Sequence, residues 1–353
     1  MSRLEINDLS PAELEEYVSG IGEKPYRAAQ IAQWVYKRGV TAFEEMTDLS
    51  LSMRETLSSS ATLSAIELDG RLVSSDGTEK FLFSLGDGHR VESVLIPDSR
   101  RNTLCISTQV GCLMGCTFCL TGTIGKSRDL KPAEIVNQYL AVRDLTSGRV
   151  SNIVFMGMGE PLENFEATVT AIEILTHPKF IAFSPKKITV STSGLVPKIK
   201  ELGERVSVNL SISLNAPNDE IRTRLMPINR KYPLRELIAA SKLYPTPKRK
   251  RVTFEYVLLR DVNDSTKEAK ELAQLLRGVK CMVNLIPFNE APGLEYATPE
   301  PERVLSFQRI LIDSGLHVFI RKSRGRDIMG ACGQLAAEYP VNYFNKNKKK
   351  AAG

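Results

Sequence analysis

Residues 103–119 read TLCISTQVGCLMGCTFC, and the fold can be argued outward from them. The first five, 103–107, form a short apolar run of strand type. Soon after it stand Cys112, Cys116 and Cys119, in C-x3-C-x2-C spacing. Further strand-type runs follow at 152–156, 187–191, 206–214, 252–258, 281–286 and 317–321. Helical patterns lie between them near 132–146, 165–176, 196–203, 233–243, 265–277 and 301–313. Strand-then-helix at this spacing means parallel strands joined by crossover helices, so the class is α/β. About six full units fit, too few for a closed eight-fold barrel. An open, partial (β/α)6 barrel is the expected architecture, with its chemistry on the loops after the strand C-termini.

Upstream of residue 98 the pattern changes. Ser10-Pro11 starts a helix, Pro25 opens a second that Gly39 closes, and a third follows Ser50. They make residues 1–62 a small helical accessory domain, with Tyr26, Arg27, Lys37 and Arg38 available to RNA; helix packing explains Tyr26 and Trp34 equally well. Residues 63–97 alternate in short runs: KFLFS at 80–84, a Gly86-Asp87-Gly88 turn and RVESVLI at 90–96 predict a β-hairpin linker. The core domain is then 98–335, with a basic tail at 336–353.

The chain has 353 residues, 42% hydrophobic and 25% charged, which is ordinary for a soluble globular protein and enough for a barrel with an appendage. No apolar stretch is long enough to span a bilayer, and the acidic N-terminus has no secretory core segment, so a cytoplasmic protein is expected. Lys and Arg outnumber Asp and Glu by 47 to 41. The excess gathers at 248–251, 321–326 and 346–350, runs that suit a phosphate backbone by charge; a solvated face or a loose tail is the other reading.

Three thiolates can ligate three irons of a [4Fe–4S] cube and leave the fourth open. That iron can accept the amino and carboxylate groups of S-adenosylmethionine (SAM), which a reduced cluster would split to a 5′-deoxyadenosyl radical. Zinc is the rival reading, but a structural zinc site wants four ligands in paired elements, and His89, His177 and His317 are isolated. Phe118 can pack on the adenine of SAM. In MGMGEP at 156–161, Gly159 lets the backbone approach a ligand and Glu160 can pair with the SAM ammonium. Ser191, Ser213, Leu214, Asn215 and Asn289 end later strands on the same face, suited to ribose and carboxylate, although each alone reads as a turn cap.

Together with GEKPYRAAQIAQWVYKRG, VESVLIP, VSTSG, SISLNAP and ACGQL, these motifs resemble the RlmN/Cfr family of radical SAM RNA methyltransferases over nearly the whole chain. The resemblance implies a radical SAM barrel and methylation of C2 of adenine, in 23S rRNA near the peptidyl-transferase centre and in tRNA 3′ of the anticodon. It implies that Cys332 is first methylated, that the resulting methylene links enzyme to adenine, that Glu92 accepts the remaining proton, and that Cys105 resolves the adduct through a Cys105–Cys332 disulfide. A low-potential, flavodoxin-like electron donor and a monomeric enzyme are expected with it. By residue type alone, Cys105 also reads as a buried small side chain, Cys332 as a turn residue, Glu92 as an outward strand charge and Cys281 as core. C8 methylation of the same rRNA adenine, a radical SAM enzyme acting on another substrate, and an RNA-binding protein with a structural cluster remain open alternatives here.

Overall fold

The computed structural model describes residues 3–99, 101–146, 150–246 and 251–336. The basic runs at 248–250 and 346–350 and the tail from 337 onward lie outside the described residues.

Near the N-terminus, β1 (Leu4–Glu5) is followed by α1 (Pro11–Gly20), α2 (Arg27–Ala32), a π-helical turn at Gln33–Arg38, α3 (Leu51–Ser60) and β2 (Ala61–Thr62). The starts follow local chemistry. Ser10 caps α1 through a reciprocal bond with Glu13, Ser50 caps α3, and Gly39 ends the second helix in the left-handed region at φ 71°. β1 pairs in parallel with β2, tying the two ends of this helical unit together. The unit packs on the barrel: Tyr36 stacks on Phe180, and Asp8 accepts a hydrogen bond from the Ala133 N–H.

Next come β3 (Glu67–Val73), β4 (Glu79–Ser84), β5 (Arg90–Asp98) and β6 (Arg101–Cys105). The expected hairpin is β4–β5. A third strand, β3, which the sequence pattern did not single out, joins it, and β5 pairs antiparallel with β6. The hairpin is therefore continuous with the barrel sheet.

β6 is followed by a small antiparallel pair, β7 (Gln109–Gly111) and β8 (Lys126–Asp129), with the short α4 (Leu120–Thr123) between them. The alternation then runs α5 (Pro132–Leu145), β9 (Asn152–Phe155), α6 (Phe165–Thr176), β10 (Ile188–Thr192), α7 (Val196–Arg205), β11 (Asn209–Ser213), α8 (Asp219–Leu225), α9 (Leu234–Leu243), β12 (Val252–Leu258), α10 (Thr266–Leu275), β13 (Cys281–Pro287), α11 (Pro301–Asp313) and β14 (Val318–Ile320). The sheet has ten strands in the order β14-β13-β12-β11-β10-β9-β6-β5-β4-β3. From β6 to β14 every neighbouring pair is parallel. Strand β12 is covered on both faces, so Val252–Leu258 is buried almost throughout, while β9, β10 and β13 alternate buried with half-buried residues. The open barrel places the C-terminal ends of β6 and β9–β14 around one mouth.

Candidate active site

The three-cysteine loop is framed by β7 and β8. Gly111 sits at φ 82°, and a Cβ there would run into the Gly125 carbonyl; that carbonyl accepts the Cys112 N–H at 2.8 Å. The loop is also held from outside. Thr117 N–H donates to Leu225 O, and Phe118 packs with Leu225, Met226, Leu259 and Phe288. Cys112, Cys116 and Cys119 all line one pocket. Burial pushes the Cys112 thiol up to about 12, and it also raises Cys116 and Cys119, where the thiolates repel one another. Three thiolates so crowded need a multiply charged cation to be stable. Among the described residues no three His, Cys, Asp or Glu side chains converge on the position of one metal ion. A donor set of three thiols spread around a pocket suits an iron–sulfur cluster, in which each thiolate meets a different iron, better than it suits zinc.

The same pocket is lined by Gly159, Glu160, Ser191, Ser213, Asn215, Asn289 and Phe118. Gly159 has φ 101°, and a Cβ there would come within 2.6 Å of Gln109 Cβ. The Glu160 carboxylate is buried and accepts the Ser193 N–H at 2.7 Å and the Leu162 N–H at 3.1 Å. Burial raises Glu160 above the usual carboxylate range, and those hydrogen bonds oppose it. Two of the strand-end residues differ from expectation. Leu214 turns its side chain into the core, because alternation along β11 sends it to the opposite side from Ser213. Asn215 lines the pocket, but its amide is engaged: its oxygen accepts the Val257 N–H at 2.8 Å, and its nitrogen donates to Met226 sulfur.

A second cavity adjoins the first, sharing Cys119, Met156, Gly157, Asn289, Arg321 and Cys332 with it, and adding Cys105, Val94 and Ile96. Cys105, at the end of β6, and Cys332 thus meet in one space although the chain between them is most of the barrel. Burial pushes the Cys105 thiol up to about 12, the Cys332 thiolate adds to this, and the Arg321 guanidinium opposes it. Cys332 is solvent-accessible. Its segment docks directly on the cluster loop: Leu120 N–H donates to Gly333 O at 2.9 Å and Thr121 Oγ1 to Leu335 O at 2.6 Å. Asn289 donates to the Cys332 carbonyl at 3.2 Å and accepts from Arg326 Nε, so its amide holds the cysteine loop.

Glu92 points inward, not outward, and is 1% exposed. One carboxylate oxygen lies 2.9 Å from Lys80 Nζ, and the other accepts the Ala336 N–H at 2.9 Å. Lys80 Nζ donates to the Met329 carbonyl at 3.2 Å. Glu92 lies on the face of β5 that Val94 and Ile96 present to the cavity.

Arg222, Glu255 and Lys80 escaped the sequence reading. Arg222 is fully buried, and its guanidinium donates to the carbonyls of Leu214, Ser193 and Ser213 and to Asn229 Oδ1. Burial lowers it to about 10, partly offset by the Cys116 thiolate. Glu255 is held by Ser211 and Asn284 and faces Arg321 at 3.9 Å. In the run at 321–326 the arginines make contacts within the fold, while Lys322 is exposed. Arg321 lines both cavities, Arg324 donates to Asp76 O, and Arg326 donates to Phe288 O and Asn289. Period-two alternation in 80–84 and 90–96, which puts a Lys and a Glu on inward faces of paired strands, was the available signal for Lys80.

Among the described residues no helix is long and apolar enough to cross a membrane. Residues 4–63 match the family described as ribosomal RNA large subunit methyltransferase N-terminal domain, and residues 106–273 match the radical SAM superfamily. A dual-specificity RNA methyltransferase RlmN of Syntrophotalea carbinolica is 49% identical, over 97% of this chain and 92% of the relative. One of Geotalea uraniireducens is 51% identical, over 95% of this chain and 97% of the relative. The crystal structure of a radical SAM methyltransferase from Sphaerobacter thermophilus superposes with a TM-score of 0.88 at 44% identity, covering 95% of this chain and 100% of that one.

Proposed function

The chain belongs to the RlmN family of radical SAM RNA methyltransferases, and we propose that it methylates C2 of adenine in two RNAs. The substrates on this reading are the 23S rRNA adenine near the peptidyl-transferase centre and the adenine 3′ of the anticodon in tRNA. The observation that carries it is the meeting of Cys105 and Cys332 in a cavity that opens into the three-cysteine pocket.

Cys112, Cys116 and Cys119 would hold the [4Fe–4S] cluster. Glu160, with its two N–H contacts leaving lone pairs toward the pocket, would take the ammonium of SAM, and Ser191 and Ser213 the hydroxyls. When bound, these groups supply a methyl donor and a carbon-centred radical able to take hydrogen from an unactivated methyl group. The protein's part is then a relay. Cys332 sulfur accepts the methyl by displacement, losing its thiol proton. The carbon bridge to adenine forms, and one electron leaves the adduct for the enzyme's electron carrier. The Glu92 carboxylate then takes the proton from the ring carbon, restoring the ring. Cys105, as thiolate, attacks Cys332 sulfur; the S–S bond forms, and the C–S bond breaks with its electron pair on the bridging carbon. That carbon takes a proton to become the methyl on the RNA. Reduction of the disulfide restores both thiols.

Tyr26, which is exposed with Arg27 over its ring, belongs with the RNA contacts on this reading. A low-potential, flavodoxin-like donor would supply electrons to a monomeric, cytoplasmic enzyme. The test is nucleoside mass spectrometry after anaerobic reaction with labelled SAM, reductant, and unmodified 23S rRNA fragment or tRNA. It should give 2-methyladenosine from both. 8-Methyladenosine would overturn the ring position, and no methylated adenosine despite SAM cleavage would overturn the RNA substrate.

A further inference from the structure

The Lys80–Glu92 pair lies in the β4–β5 hairpin, a part of the sheet that carries none of the cysteines. Lys80 is 3% exposed and Glu92 1%. Burying two charges costs several kcal/mol per ion before any pairing, and an apolar pair in their place is often no less stable. Such a pair therefore asks for a role besides stability.

Its remaining contacts suggest one. Lys80 Nζ donates to Met329 O, and Glu92 Oε2 accepts from Ala336 N–H. The two contacts bracket Cys332, three residues before it and four after. The turn between β3 and β4 grips the same segment from the other side. Asp76 accepts the Gly325 N–H at 3.0 Å, and Asp327 accepts from Ser74 Oγ and the Ser75 N–H. Those two acids are thus engaged at the turn. Arg321 and Arg324 line the cavity beyond Val94 and Ile96, and among the described residues the ion pair that Glu92 makes is with Lys80.

Resting on the reading of Glu92 as the proton acceptor, we propose that Lys80 is a positioning residue for this methyl transfer. Its ammonium, 2.9 Å from the Glu92 carboxylate, fixes that carboxylate in register with the segment that presents Cys332. Without that partner the buried carboxylate loses the contact that aims it. A misplaced Glu92 cannot take the adenine proton, whereas methylation of Cys332 does not require it.

The experiment compares Lys80→Met and Lys80→Arg with the unaltered protein, as cluster-loaded enzyme under anaerobic single-turnover conditions across a pH series. Methyl on the Cys332 peptide, covalent enzyme–RNA adduct and released methylated RNA are each measured. In Lys80→Met, Cys332 should still be methylated and the adduct should accumulate near neutral pH. RNA release should fall by about 100-fold at each pH, the scale of a lost general base. Lys80→Arg should restore release. A folded Lys80→Met enzyme with neither methyl-Cys332 nor adduct would show that Lys80 only holds the loop. Unchanged release across the series would show that it does nothing. Either outcome overturns the proposal. If Lys80→Met does not accumulate as folded protein, Lys80→Gln, which keeps hydrogen bonds but not charge, carries the same comparison. Glu92→Gln is run alongside: normal release from it would overturn the base reading itself, whatever Lys80 does.

Discussion

The two cysteine-bearing loops face each other across one cavity and are held by different physics. The Cys112–Cys119 loop rests on backbone hydrogen bonds, glycine geometry and an apolar cluster around Phe118. The Cys332 segment rests on charged and amide side chains: Lys80, Glu92, Asp76, Asn289 and Gln334, the last donating to Glu290 O at 2.8 Å. The first loop's partners are near in sequence at Gly125 and distant at Leu225 and Phe288. The second segment's contacts with Glu92 and Lys80 reach across 244 and 249 residues. A cradle for three buried thiols has to be shaped, and backbone geometry does that. A loop that, on the proposed mechanism, offers one thiol to successive partners has to be aimed, and long-range polar clasps do that.

Substitutions can set these two modes against each other. The largest effect is expected on the cluster side at Arg222→Met, which leaves three carbonyls and Asn229 without their donor. Destabilisation of about 3–5 kcal/mol, the scale for breaking a buried charge network, should appear in urea unfolding, together with lower iron content. Gly111→Ala should follow. Its backbone is left-handed and its Cβ would displace the Gly125 carbonyl, a strain of about 1–3 kcal/mol. Iron retention should drop while a Cys332 alkylation rate, read without cluster, stays unchanged.

Asp76→Asn should be the mildest and should act only on the carrier side. Burial pushes Asp76 up, but the hydrogen bonds from Thr78, Gly325 and Ser74 outweigh it and hold the carboxyl at about 2, below its ordinary 3.8. A carboxyl lowered by folding stabilises the fold above its ordinary value, and that contribution is lost as pH falls through about 2. The Asn variant should lose this acid-window dependence and leave iron content unchanged. Loss of iron would mean that the two loops are not separately supported.

The same contrast explains what the sequence could tell. The barrel was legible because its strands read as apolar runs, and the N-terminal helices because they carry their caps beside them, as at Ser10 and Ser50. The cysteine triplet was legible because its spacing is local. The carrier clasp was not, because Lys80 and Glu92 become partners of Met329 and Ala336 only once the sheet has closed. For the same reason the contacts of Arg324 and Arg326 with Asp76, Phe288 and Asn289 could not be read from the basic run at 321–326. Leu214 and Asn215 were read from position at a strand end: Leu214 turns into the core, and Asn215, which lines the pocket, also engages its amide with Val257 and Met226. Arg222 left no signal, since a buried arginine serving carbonyls looks like any helix-surface arginine.

On the proposed mechanism Cys105 and Cys332 act on one another across the shared cavity, and the sharpest test is made on Cys105→Ala. Cluster-loaded protein is reacted anaerobically with SAM, reductant and 23S rRNA fragment, then denatured and examined by mass spectrometry. RNA bonded covalently through Cys332, with no methylated RNA released, is the predicted result. Turnover at the rate of the unaltered protein, with Cys332 carrying no RNA, would contradict it.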